Sequence, residues 1–315
     1  MKDAERDLFF VYAVDCEPLA ARSPMCGGPA SWEVSEKAIL RYAEIFRRRG
    51  MMRGLSFHTT PEAGKAHRDL LLALNREGCG LGLQLNVPGF RFPKYKQDLG
   101  FYDLDEQRQI LRDATADFAE TFGFRPQTYT PCCGSKNRHT YPLLFELGYR
   151  QTHAAGPGRY LPERPDRCTV GSFPFPYWAS AEHPLLSGNL PLYVIPNAGE
   201  LTCERGRRPF DLRPESPPTS ETHERYRRVI RQSVEMQKLI AQPIKVIAIG
   251  AHNTERVNFE NVEFAMDCAS ETAEREGLDL IPASCVMVRE GAERAGAAPH
   301  EQGKAAPSRR TGGRS

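Results

Sequence analysis

The chain has 315 residues, enough for one large α/β domain or two small ones. Hydrophobic residues make up 40%, enough for a sizeable core, and a formal net charge of +2 gives no strong pull toward nucleic acid or an anionic membrane. No segment is apolar enough to span a bilayer.

The run Leu8–Val14 ends at Asp15-Cys16-Glu17 without a small-residue cleavage site, so it reads as a buried first strand and not as a secretory signal. Glu36–Arg49 carries Ile39, Leu40, Tyr42, Ala43 and Phe46 on one helical face and ends at Gly50. Leu55–Phe57 is a second strand. Thr60-Pro61 then opens a helix through Leu70, Leu71 and Leu74 to Gly78, with threonine as cap and proline in the first turn. Leu81–Leu85 is a third strand, and Asp103-x-x-Glu106 is a capping box for a helix containing Ile110, Leu111, Phe118 and Phe122. Gln127–Thr130 and Tyr149–Thr152 are strands around a helix at Thr140–Leu147. Leu192–Ile195 and Ile244–Ile249 are two more, separated by the Pro/Arg-rich loop Cys203–Pro218 and a helix at Glu221–Ala241. Phe259–Glu276 is a last helix and Leu278–Ile281 a final strand.

Repeated strand–helix units predict a parallel sheet, and seven or eight of them predict closure into a (β/α) barrel. No Gly-x-Gly-x-x-Gly follows the first strand, so a dinucleotide fold has no motif. Residues 1–288 are expected to form one domain. Residues 289–315 are rich in Ala, Gly, Arg and Pro and are expected to be a disordered tail. Nine cysteines, an odd number with no Cys-x-x-Cys pair, suit a reduced cytoplasmic protein.

Active sites of such barrels form at the C-terminal ends of the strands. The polar residues falling there are Asp15 and Glu17, His58, Gln84 and Asn86, Thr130 with Cys132-Cys133, His153, Asn197, and His252-Asn253. Each alone also suits a structural role: Asp15 as a loop cap, His58 or His153 as a satisfied interior group, His252 at a plain turn. Together, carboxylates and neutral imidazoles suit a divalent metal such as zinc, or general acid–base chemistry. His67, His139, His183 and His223 read as surface residues, and His300 lies in the tail.

The order of segments from Leu8 to Ser284 resembles the polysaccharide deacetylase (NodB-homology) family. Val14-Asp15-Cys16-Glu17 is similar to its first motif. The resemblance makes Asp15 the catalytic base and Glu17 a metal ligand. Gly78–Pro88 keeps the frame of the second motif, but the metal-binding histidines fall at Gln84 and Asn86. Phe124-Arg125-Pro126 matches the third motif, while its later arginine falls at Thr130. Ile247–His252 matches the last, making His252 the general acid. Trp178 stands where aromatic residues line the family's substrate groove.

The resemblance implies a hydrolase that removes an acyl group from an amino sugar or another small amide, with a metal rebuilt from Glu17, His58 and His153. The expected partner is then a carbohydrate or small-molecule substrate, contacted by Gln84, Asn86, Thr130, Trp178, Asn197 and Asn253. An alternative is a non-catalytic carbohydrate-binding or regulatory relative, motivated by Gln84, Asn86 and Thr130, which can hydrogen-bond sugar hydroxyls but poorly stabilise a metal. A third reading is a metal-independent enzyme with a nucleophile from Cys132-Cys133.

Overall fold

The computed structural model describes residues 6–22, 27–91, 94–202, 205–206 and 209–299. Its strands are β1 (Asp7–Cys16), β2 (Leu55–Thr59), β3 (Gly80–Leu85), β4 (Thr128–Pro131), β5 (Gln151–Ala154), β6 (Tyr177–Trp178), β7 (Tyr193–Pro196), β8 (Lys245–His252) and β9 (Asp279–Pro282). Its helices are α1 (Trp32–Arg48), α2 (Pro61–Ala66), α3 (Arg68–Arg76), α4 (Leu104–Phe122), α5 (Thr140–Glu146), α6 (Ser220–Leu239), α7 (Phe259–Glu276) and α8 (Cys285–Arg294).

Local chemistry sets several boundaries. Thr60 caps α2 by accepting from the Ala63 N–H, with Pro61 in the first turn. Asp103 and Glu106 form the expected capping box of α4, which stops at Gly123 in the left-handed region. The single helix expected from Thr60 to Gly78 is two, broken at His67.

Seven strands run parallel in the order β7-β5-β4-β3-β2-β1-β8. β6 adds antiparallel to β7, and β9 pairs with the first residues of β1. The sheet curls so that its ends meet: the Ala198 N–H, just after β7, donates to the Ala248 carbonyl of β8 at 2.8 Å. The architecture is the deacetylase-like (β/α) barrel expected.

Strand alternation divides the core in two. Phe10, Tyr12 and Val14 of β1 face outward, where Tyr12 meets Tyr42 and Phe46 of α1. Phe9 and Val11 face inward and pack with Tyr193, Ile195, Val246 and Ala248. α8 covers this inner cluster with Cys285, Val288 and Ala292, so the expected domain boundary after residue 288 falls inside a helix. A Cβ on Gly291 would come within 2.7 Å of the Phe9 ring, a measure of how tightly α8 enters the barrel. The tail call from residue 300 onward lies outside the described residues.

Candidate active site

The inward alternation that buries Phe9 and Val11 continues along β1 to Asp15. Parallel register sets Asp15 level with His58 on β2 and with His252 on β8. These strands run further than the apolar runs suggest, so His58, His153 and His252 lie within their strands and not after them.

Asp15, His58 and His153 each offer a ligand atom, and the three atoms lie within 4.8 Å of one another. The His58 Nδ1 is 3.9 Å from Asp15 Oδ1 and shares a 2.7 Å hydrogen bond with the Thr130 hydroxyl. Gly82 makes room for this ring: a Cβ there would lie 2.7 Å from His58 Cδ2. Asp15 Oδ1, His153 Nε2 and Asn197 Oδ1 are buried without a hydrogen-bond partner among the described residues. Buried polar atoms are normally satisfied, so unpartnered atoms from three strand ends mark a place for an ion, water or substrate. Burial, reinforced by His153, holds the His58 imidazole well below its ordinary pKa. Burial also pushes His153 down to about 4, partly offset by Asn197. Both rings are therefore neutral at pH 7, the form that binds a metal. Two imidazoles and one carboxylate are the donor set of a catalytic zinc site that keeps an open position.

Glu17 was expected as a ligand. It stands outside this group, only 2% exposed. Its carboxylate accepts from Gln84 Nε2 at 2.8 Å and from Asn86 Nδ2 at 3.0 Å. Gln84 and Asn86, expected on substrate, thus turn their amide groups to Glu17. Burial pushes the Glu17 carboxyl up to about 8 against the opposing influence of His252 and the Asn86 bond. Burial likewise raises Asp15 to about 7, although His252 and Arg213 draw it down. Asp15, expected as the base, occupies the ligand group instead.

Two other expected substrate contacts are placed elsewhere. Asn253 is fully buried; its side chain accepts from the Glu17 backbone N–H at 2.9 Å and donates to Ser35 Oγ at 2.6 Å, clasping the loop after β1. Trp178 is part of the inner cluster, with its ring 4.8 Å from that of Tyr193. Asn197 lies at the end of β7, where Gly250 on β8 makes room for it. Thr130, through His58, touches the site directly.

A cavity of about 320 Å³ opens over these strand ends, lined by Asp15, Glu17, Thr130, Cys133, His153, Arg159, Arg213, Glu215, His252 and Arg256 among others. Glu215 is the residue that sequence reading misses. It sits in the loop between β7 and α6, and its Oε1 is 2.7 Å from His252 Nδ1 while accepting the His252 backbone N–H at 3.0 Å. Burial alone lowers the pKa of His252, but the adjacent Glu215 charge and hydrogen bond outweigh it and hold the imidazole near 9. Glu215 stays below the usual carboxylate range because His252 and Arg213 overcome its burial.

Polar side chains tie the loop of Cys133 to its neighbours. Asp98 accepts from Arg164 and Arg167, and Asp166 from Ser135 at 2.6 Å, joining three loops around Cys133. Cys132 and Cys133 have sulfurs 3.6 Å apart; Cys133 has φ 55° and reaches the cavity, whereas Cys132 is buried.

No family model matches the chain. No curated protein sequence matches it at a significant level. Solved structures do. A structure provisionally described as a polysaccharide deacetylase from Mycobacterium smegmatis aligns with TM-score 0.57 and 14% identity over 97% of this chain and 96% of that one. The PuuE allantoinase aligns with TM-score 0.56 and 14% identity over 92% and 91%. A structure provisionally described as a glycoside hydrolase/deacetylase from Parabacteroides distasonis aligns with TM-score 0.66 and 14% identity over 93% of this chain and 72% of that one. At such identities the likeness is one of fold, and the fold that this chain shares is that of the polysaccharide deacetylases.

Proposed function

We propose that the chain is a metal-dependent hydrolase that removes an acyl group from an amino sugar or another small amide. The observation that carries this reading is the convergence of Asp15, His58 and His153 beside the His252–Glu215 pair at the strand ends under one cavity. The fold of the structural relatives agrees with it. Asp15, His58 and His153 would hold the metal, zinc by its donor chemistry. When bound, the metal supplies Lewis acidity and lowers the pKa of a water molecule.

The remaining steps belong to side chains of this protein. Glu17, on the cavity wall, would take the proton of the attacking water once ionised, the form that His252 and the charge of a bound metal favour against its burial, so that the roles expected for Asp15 and Glu17 are exchanged. Gln84 and Asn86 hold its two oxygens and leave it one orientation. His252, positively charged at neutral pH, gives its proton to the departing amine, and Glu215 fixes the ring by its bond to Nδ1. Of the residues behind the glycan-binding alternative, Thr130 lines the cavity, while the amide nitrogens of Gln84 and Asn86 are engaged by Glu17.

The test is hydrolysis of N-acetylated amino sugars and small amides by the purified chain, with and without a chelator, alongside Asp15→Ala and His153→Ala. Turnover that disappears with chelator and in both variants is expected. Turnover that survives all three removes the metal from the mechanism, and the absence of any amide hydrolysis with metal bound removes the reaction.

No helix among the described residues is long and apolar enough to cross a membrane.

A further inference from the structure

The proposed hydrolysis makes no use of Cys132 and Cys133. With Gly134 they form a short helical turn directly after β4, and Cys133 stands at φ 55°, a region that residues with a side chain seldom adopt. The turn is pinned by its neighbours. The Ser135 N–H donates to the Cys132 carbonyl at 3.0 Å, Arg159 Nη1 donates to the Cys133 carbonyl at 3.3 Å, and the Ser135 hydroxyl donates to Asp166 at 2.6 Å. So held, the two sulfurs stand 3.6 Å apart, and Cys133 lines the cavity. That separation decides what the pair can hold. A disulfide usually needs sulfurs about 2.0 Å apart and Cα atoms at least about 4.4 Å apart, whereas adjacent Cα atoms across a trans peptide are only about 3.8 Å apart. Closing on each other would therefore strain the turn. A single atom bonded to both sulfurs at about 2.3 Å, the length of a zinc–thiolate bond, would see them at an angle of about 100°. A linear two-coordinate ion would need them about 4.6 Å apart at the same bond length. A tetrahedral ion needs two further donors, and among the described residues no His, Cys, Asp or Glu joins the pair in a three-donor set. The spacing thus suits a pyramidal atom that takes two sulfurs and brings its own third substituent.

We propose that Cys132 and Cys133 form a bidentate site for a monosubstituted trivalent arsenical. In the capture step both S–H bonds and the arsenic–oxygen double bond break, and two As–S bonds form. The oxygen leaves as water with the two thiol protons. Arsenic stays trivalent, so no oxidant or reductant is consumed. Because the turn is already fixed, little ordering cost is left for binding. The site uses none of Asp15, Glu17, His58, His153 or His252 and is independent of the hydrolase reading.

Phenylarsine oxide is the probe, added in equimolar amount to the full chain after its thiols have been reduced and the reductant removed. Intact mass should show one phenylarsenic group per chain with the loss of one water, and peptide mapping should place it on the segment that carries Cys132 and Cys133. Two sulfurs grip the atom together, so the adduct should survive an excess of a monothiol, mercaptoethanol, and be released by a dithiol, ethanedithiol. In Cys132→Ser and in Cys133→Ser the grip is single, and release should need about 10²-fold less ethanedithiol or lower still. No adduct on this segment, release of the wild-type adduct by mercaptoethanol, or an unchanged hold in a folded Cys133→Ser would overturn the proposal. The comparison of monothiol with dithiol is made on the wild type and decides the matter even where a serine variant does not fold.

Discussion

Glu215→Gln removes one charge from the His252 pair and preserves its shape. In the wild type the pair holds His252 near 9, against an ordinary value of 6.5. A displacement of that size corresponds to roughly 3 kcal/mol of differential interaction. Without the Glu215 charge, burial is the dominant influence left on His252, and the neighbouring Arg213 acts in the same direction. The imidazole should then titrate below 6.5 and be neutral at pH 7. Because the folded value lies above the unfolded one, the stabilisation that the histidine draws from Glu215 is complete below about pH 6.5 and is lost as pH rises to 9. NMR of the ring nitrogens gives the titration directly, and denaturant unfolding at pH 6 and pH 9.5 gives the linked stability. Amide hydrolysis at pH 7 should fall by about 10²–10⁴-fold, the usual worth of a general acid. A His252 that titrates at the same pH in both proteins would refute the argument, whatever happens to activity.

Further outcomes follow from packing and hydrogen bonding. Gly82→Ala would place a methyl group 2.7 Å from His58 Cδ2 and 3.1 Å from Thr128, so it should displace the ring, cost about 1–3 kcal/mol in urea unfolding and weaken zinc uptake measured by competition with a chelating dye. Val288→Asp would put an unpaired charge into the fully buried contact between α8 and the barrel interior; a loss of roughly 3 kcal/mol or more is expected by thermal or urea unfolding. Asn253→Ala would leave the buried Glu17 backbone N–H without its acceptor and should lower stability by about 1–3 kcal/mol in the same assay.

Much of this was legible in the sequence, for a physical reason. Apolar strands bounded by capped helices announce a parallel barrel, and the barrel delivers polar residues at strand ends to one mouth. Asp15, His58, His153 and His252 were found that way, although the strands that bear them run further than their apolar runs. Glu215 was hidden because its partner lies 37 residues away and the loop between them has no periodicity. The engagement of Gln84 and Asn86 with Glu17 was hidden too, since the residue types alone do not say whether an amide faces substrate or a buried carboxylate. Trp178 reads as a groove aromatic by its position in the chain, yet it packs inside the barrel because β6 turns back antiparallel on β7. α8 did leave a signal: Ser284 as N-cap, then Cys285, Val288 and Ala292 at helical spacing. The surrounding Ala, Gly and Arg masked it, as small residues carry little hydrophobic contrast although they fit a narrow barrel end.

The most direct test of the account is where a metal binds. Crystals of the full chain grown with zinc, measured at the zinc absorption edge, should give an anomalous peak about 2.0–2.2 Å from an oxygen of Asp15 and from ring nitrogens of His58 and His153. That peak should be absent in His153→Ala. No peak at this position in the wild type, or a zinc ion held by Glu17 with Gln84 and Asn86 instead, would contradict it.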